Sequence, residues 1–153
     1  MPTKLQEALT SGAQPIPLGA MMGFRIASVS PGEAVIEIET TDGHANPMGT
    51  LHGGVLCSIA DSAMGIAHAS TLNEGETTTT LELKINFLRP VWSDRLRAVG
   101  KVIKPGKTIS LVECEVFDSR NRLVARSSST CMTLRGEQAE RSQKTVPTVG
   151  APG

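Results

Sequence analysis

The longest apolar segment of the chain, residues 53–69, follows a loop rich in turn-forming residues. Apolar side chains occupy most of its positions, which predicts a helix that is buried on more than one side. Its polar or bare positions recur at helical spacing and so form one narrow stripe: Ser58, Asp61, Ser62 and Gly65. Asp61 carries the only formal charge of the segment. A carboxylate in such surroundings is costly unless it is hydrogen-bonded, paired or open to a cleft.

Segments of alternating or β-branched residues on both sides of this helix predict about six strands. The clearest alternation, residues 78–87, is expected to turn Leu81, Leu83, Ile85 and Phe87 inward. One antiparallel sheet wrapped around one long central helix would satisfy both burial patterns, which places the chain in the α+β class. Because the sheet cannot cover every side of the helix, a second copy is expected to cover the rest, as in a dimer or a dimer of dimers.

The pattern predicts one domain with short flanking segments. Residues 1–20 are expected to be a helical turn followed by a loop, because Gly12, Pro15 and Pro17 interrupt the periodicity. Residues 21–135 contain every predicted strand and the helix. Residues 136–153 are polar and rich in proline and glycine, and are expected to be a disordered tail.

Composition excludes several partners and compartments. The chain has 153 residues, with 15 basic and 15 acidic ones, so no net charge attracts nucleic acid or an anionic membrane. Three cysteines without a CxxC spacing predict reduced core thiols rather than disulfides or structural zinc. The absence of a secretory leader and of a membrane-spanning run predicts a cytoplasmic protein that does not interact with membranes.

The order of these elements, together with three local motifs, resembles the hotdog-fold acyl-CoA thioesterases of the phenylacetate-pathway and 4-hydroxybenzoyl-CoA type. The motifs are Asn46-Pro-x-Gly-x-x-His52-Gly53-Gly54 leading into the helix with Asp61, Asn86-Phe-Leu-Arg-Pro90, and Lys104-Pro-Gly-Lys-Thr108. The resemblance spans residues 20–135. It implies a hydrolase that cleaves an aromatic or medium-chain acyl-CoA, needs no cofactor since CoA is part of the substrate, and forms its sites between subunits.

Gly53 is expected to begin the helix, where backbone N–H groups lack partners within the helix and the macrodipole favours negative charge. A thioester carbonyl held there would be polarised toward an oxyanion. The alternative is that Gly53 and Gly54 only permit a tight turn. The resemblance favours the first interpretation.

For Asp61, the residues alone favour a structural carboxylate bonded to a neighbouring serine. The resemblance implies instead that Asp61 attacks the thioester or activates water, acting on the partner subunit's loop residues. It assigns Asn46 and His52 to orienting the reacting groups, although a histidine before a helix is more often structural. Thr80 matches a hydroxyl that positions water, with Thr79 as the obvious substitute.

CoA carries a pyrophosphate and a 3′-phosphate, so a chain without net charge needs local cations to bind it. Arg89, Lys104 and Lys107 are candidates, with Thr108 as a further donor. Solvated charges in turns are the alternative interpretation.

Other chemistries lack their motifs. The sequence contains no GxSxG, Cys57 has no neighbouring cation, and His44, His52 and His68 do not have a recognisable metal spacing, so no metal is expected. Two rival functions remain: a non-catalytic acyl-CoA sensor and a hotdog dehydratase or hydratase.

Overall fold

The computed structural model describes residues 1–11 and 16–143. Its helices are α1 (Thr3–Thr10), α2 (Pro17–Met22), α3 (Gly53–Ala69) and α4 (Glu137–Ser142), with a 3₁₀ turn at Asp42–His44. Its strands are β1 (Phe24–Ser30), β2 (Glu33–Glu39), β3 (Thr77–Phe87), β4 (Arg95–Lys104), β5 (Ile109–Phe117) and β6 (Leu123–Leu134).

The six strands form a single sheet in the order β1-β2-β4-β5-β6-β3, and all neighbours are antiparallel. Helix α3 contacts all six strands. Strands lie about 4.8 Å apart and a helix is about 10 Å across, so a flat sheet of this width could not reach one helix with every strand. The sheet is therefore curled around α3. The predicted α+β architecture, a six-stranded antiparallel sheet around one long helix, is confirmed.

The sheet covers α3 on all sides except the polar stripe. Ala60 and Ala63 are fully buried against the strands, and Gly100 of β4 approaches so closely that a Cβ there would lie 2.5 Å from the Ala63 carbonyl. In contrast, Asp61 and Ser62 are only half-buried. The stripe predicted from the sequence is thus the face of the helix that residues 1–11 and 16–143 leave open.

Among the described residues, strand β3 lies at the edge of the sheet and pairs only with β6. Leu83 and Ile85 pack against the core, but Leu81 and Phe87 are 53% and 55% exposed. Their predicted inward orientation is wrong. The register shifts between Thr80 and Glu82, which leaves Leu81 without a partner on β6, and Phe87 is the last residue of the strand.

The structure differs from the predicted loop and tail at both ends of the domain. Helix α2 begins within the predicted loop and extends past its end at residue 20: Pro17 is its first residue, a position that tolerates proline, and Gly23 ends it at φ +81°. Helix α4 forms the start of the predicted tail, with Ala139 buried. Residues 144–153 of that tail, and 12–15 of the loop, lie outside the described residues.

A buried histidine joins the C-terminal end of α3 to the sheet. His68 is 1% exposed; its Nδ1 shares a hydrogen bond of 2.6 Å with the Thr78 hydroxyl, and its Nε2 lies 3.4 Å from the Thr133 hydroxyl. Burial lowers the pKa of His68 below its ordinary value, and the charge of Glu76 partly opposes this shift. His68 is therefore neutral in the folded protein near pH 7.

Stability is expected to fall on acidification because of His68. In the unfolded chain its imidazole binds a proton as pH falls through about 6.5, whereas the folded protein holds it neutral to lower pH. The unfolded state then binds more protons, so the free energy of unfolding decreases from about pH 6.5 down to the folded-state pKa. Urea unfolding between pH 7.5 and 5 should show a smaller decrease for His68→Gln than for the wild type. Equal pH slopes would contradict this assignment.

Candidate active site

The loop before α3 is shaped by the side chain of Asn46. Its Oδ1 accepts the N–H of Met48 at 2.9 Å and that of Thr50 at 3.3 Å, while its Nδ2 donates to the Thr50 hydroxyl at 2.8 Å. The side-chain amide therefore closes a compact turn in which Gly49 adopts φ +84°. Through this turn Asn46 fixes the path of the chain into the helix.

His52 caps the N-terminus of α3. Its backbone is extended, at φ −66° and ψ 131°, and its Nδ1 accepts the N–H of Gly54 at 2.8 Å. Side-chain acceptors at this position satisfy one of the helix's otherwise unpaired donors. Because Nδ1 accepts, the neutral ring carries its proton on Nε2, which remains a donor. His52 thus has a structural role and also retains a free hydrogen-bonding function.

Gly53 is the first residue of α3, and an aromatic ring lies against it. A Cβ at Gly53 would stand 2.8 Å from Cζ of Phe87, closer than side-chain carbons normally come. Phe87 reaches this position because β3 ends beside the start of α3. A side chain at Gly53 would therefore have to displace the Phe87 ring, whatever the role of the Gly53 N–H group.

Asp61 forms the second part of the site, and Thr80 holds it. The Thr80 hydroxyl donates to Asp61 Oδ1 at 2.8 Å. Thr80 pairs with buried Cys131, whereas Thr79 pairs with Met132 on the opposite face of the sheet. The register shift after Thr80 is a bulge, a feature that often re-aims side chains beside active sites. Of the two threonines considered from the sequence, Thr80 contacts the carboxylate.

Two cysteines, Cys57 and Cys131, lie close enough to the Asp61 carboxylate to be affected by its charge. Burial raises the pKa of Cys57, and the negative charge of Asp61 adds to the shift. Burial also raises the pKa of Cys131, where the charges of Asp61 and Glu82 act in the same direction and a hydrogen bond with Thr80 opposes it. Both therefore remain thiols near neutral pH, in line with the prediction that Cys57 is not a nucleophile.

The two parts of the site are too far apart to act together within one chain. Asn46, His52 and Gly53 lie at the start of α3, whereas Asp61 and Thr80 lie about two turns further on. Eight residues at a rise of 1.5 Å give about 12 Å along the helix. A thioester carbonyl at the helix start of one chain is consequently out of reach of that chain's own carboxylate.

A cavity of about 340 Å³ opens beside the helix start. Asn46, Gly53, Phe87 and Arg89 are among its lining residues. Arg89, which follows the end of β3, is exposed. Of the predicted phosphate-binding cations, Arg89 is therefore the one that lies next to the predicted catalytic loop.

The other three predicted CoA-binding residues lie at the opposite end of the domain. Lys104, Lys107 and Thr108 surround the turn between β4 and β5, and Arg135 after β6 donates to the Lys107 carbonyl. Gly32 joins this end of β4 to the end of α3, because it contacts Val102 and Ser70. Within one chain, the structure does not bring these residues to Arg89.

Several residues near the site were not singled out from the sequence. The alternation of apolar and polar residues in 78–87 predicts that Phe87 lies in the core. Nothing in that pattern indicates its contact with Gly53. Cys131 could be placed behind Thr80 only once the register between β3 and β6 was known. Met21 and Met22 belong to α2, a helix that the sequence pattern did not predict.

Two classes of feature are absent from the described part of the chain. Within residues 1–11 and 16–143, no cluster of three or more His, Cys, Asp or Glu side chains is arranged to hold a metal ion. Over the same ranges, no helix has both the length and the hydropathy to cross a membrane.

A curled antiparallel sheet around a single long helix is the hotdog fold. The sequence model of the Thioesterase superfamily matches residues 48–125. The solved structure of the Escherichia coli PaaI protein, from the phenylacetic acid degradation operon, superposes with a TM-score of 0.78 at 26% identity, covering 88% of this chain and 96% of that one.

Two curated relatives extend the comparison. The chain is 31% identical over 109 residues to 1,4-dihydroxy-2-naphthoyl-CoA hydrolase of Listeria monocytogenes, which covers 71% of this chain and 89% of the relative. It is 24% identical over 107 residues to acyl-coenzyme A thioesterase 13 of Homo sapiens, which covers 69% and 76% respectively. The chain belongs to the thioesterase superfamily and has the hotdog fold. It is a thioester hydrolase.

Proposed function

We propose that the chain hydrolyses acyl-CoA thioesters with an aromatic or medium-chain acyl group, using Asp61 as nucleophile or general base. The observation that carries this proposal is the hydrogen bond of 2.8 Å that orients Asp61 on the one face of α3 that the sheet leaves open. The names of the relatives, one an acyl-coenzyme A thioesterase and one a naphthoyl-CoA hydrolase, support CoA as the thiol.

The N–H of Gly53 polarises the thioester carbonyl. The first N–H groups of a helix have no acceptor within it and face outward along its axis, and the macrodipole adds a partial positive charge. Such donors stabilise the oxyanion more than the neutral carbonyl, which lowers the barrier. His52 Nε2–H is a second donor at the same helix start.

Asp61 can act in two ways with the same geometry. As a nucleophile, a carboxylate oxygen adds to the carbonyl carbon and CoA leaves as the thiolate, so that water must then hydrolyse a mixed anhydride. As a general base, the carboxylate takes a proton from the attacking water. Both routes consume one water, release the acid and CoA, and require no cofactor.

Two chains form each site. Since Gly53 and Asp61 are about 12 Å apart along α3, a second chain must bring its Asp61 to the Gly53 of the first. The unpaired edge of β3 and its exposed Leu81 and Phe87 support pairing of this strand with its own copy across a two-fold axis, as a dimer or a dimer of dimers.

This arrangement also explains why the residues predicted to bind the CoA phosphates lie at opposite ends of one chain. In an antiparallel pairing of β3 with its copy, the start of one strand lies opposite the end of the other. Lys104, Lys107 and Thr108 of one chain would then approach Arg89 of its partner. We propose that these residues, from two chains, bind the CoA phosphates.

Thr80 should matter for turnover and Thr79 should not. Thr80→Val removes the hydrogen bond to Asp61 at nearly constant volume, and a hydrogen bond to a charged group is worth about 1.5 kcal/mol. We therefore expect kcat to fall about 10-fold with little change in KM. Thr79→Val is the matched control, since it makes the same substitution one residue away on the other face of the strand. Equal kcat values for the two variants would remove Thr80 from the site.

The proposed function is tested by release of free CoA thiol from a panel of arylacetyl-, benzoyl-, short-chain and long-chain acyl-CoA esters. We expect hydrolysis by the wild type, with the highest kcat/KM for aromatic or medium-chain esters. Tight binding of these esters without release would instead identify a non-catalytic acyl-CoA sensor.

A further inference from the structure

A second cavity, of about 760 Å³, lies on the other side of the helix start. Its walls are the end of α2, the loop before α3 and the first turns of α3 itself. Met21, Met22, Ala45, His52, Val55 and Ser58 are among its lining residues. No part of the mechanism described so far uses this space.

The cavity adjoins the proposed reaction centre. His52 and Gly54 line it, whereas Gly53, between them in the chain, lines the cavity that contains Arg89. The helix start therefore separates two unlike spaces, one with an exposed guanidinium group and one walled by methionine. A thioester whose carbonyl lies at Gly53 would extend toward both of them.

Apart from the Nε2–H of His52, which is the proposed second donor to the thioester carbonyl, the side chains of His44 and Ser58 in the second cavity are already engaged. His44 donates from Nε2 to the Met22 carbonyl at 2.8 Å and accepts the Thr41 N–H at Nδ1, while the Ser58 hydroxyl donates to the Gly54 carbonyl. None of its described lining residues is Lys, Arg, Asp or Glu. A charged acyl terminus would lose its hydration here without gaining a partner.

We propose that this cavity is the acyl site, and that it takes an uncharged hydrocarbon acyl group, with Met21 and Met22 of α2 as the adaptable wall. The inference rests on the proposed function and narrows its substrate class. Hydrocarbon groups gain affinity for each methylene they bury, and methionine side chains adapt to ligands of different shape. Acyl-CoA esters ending in a carboxylate are excluded on the same grounds.

Helix α2 is held beside the cavity because His44, in the loop before α3, hydrogen-bonds to the carbonyl of Met22 at its end. Met21 is 77% exposed and lines the cavity, whereas Leu18 is 40% exposed and does not. A charge can thus be added at either position on the same helix without being buried in the core. Only the charge at position 21 would face an acyl group.

The test measures binding of S-ethyl-, S-hexyl- and S-decyl-CoA thioethers, which resist hydrolysis, by calorimetry. For the wild type, affinity should rise by about 4-fold for each methylene buried. Met21→Asp should remove most of this rise, so that the three thioethers bind it with similar affinities. Ala20→Trp, which fills the cavity, should weaken S-decyl-CoA most, and Leu18→Asp should match the wild type.

Each outcome supports or overturns the inference. If Met21→Asp and Leu18→Asp bind every thioether alike, or if wild-type affinity does not depend on chain length, the acyl site lies elsewhere. When Asp61-dependent hydrolysis of acyl-CoA esters persists in that case, the proposed function stands and only the acyl site is wrong. If no thioether binds and no ester is hydrolysed, both are wrong.

Discussion

Asp61→Asn is expected to lower kcat for acyl-CoA hydrolysis by roughly 10²–10⁴-fold, the contribution typical of a positioned acid or base. The amide has the shape of the carboxylate, and its oxygen can still accept the Thr80 hydroxyl that is now 2.8 Å from Asp61 Oδ1. The local geometry should therefore survive, while the amide neither attacks the carbonyl nor accepts a proton from water. Steady-state release of CoA thiol measures the effect.

Glu113→Gln is the matched control for this loss of one negative charge. Glu113 lies on β5, where it pairs with Arg126 at 3.0 Å on the face of the sheet that points away from α3. This variant should turn over normally, and both variants should unfold cooperatively. Normal turnover by a folded Asp61→Asn protein would remove Asp61 from the mechanism.

The second large effect is expected at Gly53. Two substitutions there distinguish the role of its N–H donor from the role of the space left by its missing side chain. Proline and alanine both add a Cβ, but only proline removes the N–H. The first position of a helix accepts proline, and the extended backbone of His52, with ψ 131°, is compatible with a following proline. Gly53→Pro should therefore fold and lose about 10²–10³-fold in kcat, as expected for one oxyanion donor.

The crowding by Phe87 must be removed before the two variants are compared. The added Cβ would stand 2.8 Å from the Phe87 ring, but that ring is half exposed and can turn away. Measured in a Phe87→Leu background, Gly53→Ala should retain much more activity than Gly53→Pro. If alanine and proline are equally inactive there, activity depends on the absence of a side chain at Gly53 and not on its amide donor.

The sequence predicted the central helix and its open stripe because both depend on local periodicity. Burial of α3 follows from apolar residues on three sides, and the polar or bare residues Ser58, Asp61, Ser62 and Gly65 recur on the fourth at helical spacing. The number of strands, and the position of the helix after the second of them, followed from the same counting. These features require no knowledge of which strands become neighbours.

Features that depend on tertiary pairing could not be predicted in this way. Alternation placed Leu81 and Phe87 in the core, but β3 is an edge strand with a bulge, so both side chains are exposed. Four successive threonines left Thr79 and Thr80 indistinguishable until the register with β6 turned only Thr80 toward Asp61. The first residues of helix α2 were predicted as loop because Pro17, which breaks a helix in its interior, is here the first residue of the helix.

The most direct test of the central claim mixes two inactive chains. If each site takes Gly53 from one chain and Asp61 from the other, a mixed dimer of Asp61→Asn and Gly53→Pro chains contains one site with both groups intact. Random mixing should then restore about one quarter of the wild-type rate, since half of the dimers are mixed and each has one working site. Absence of recovery in verified mixed dimers would contradict a site shared between chains.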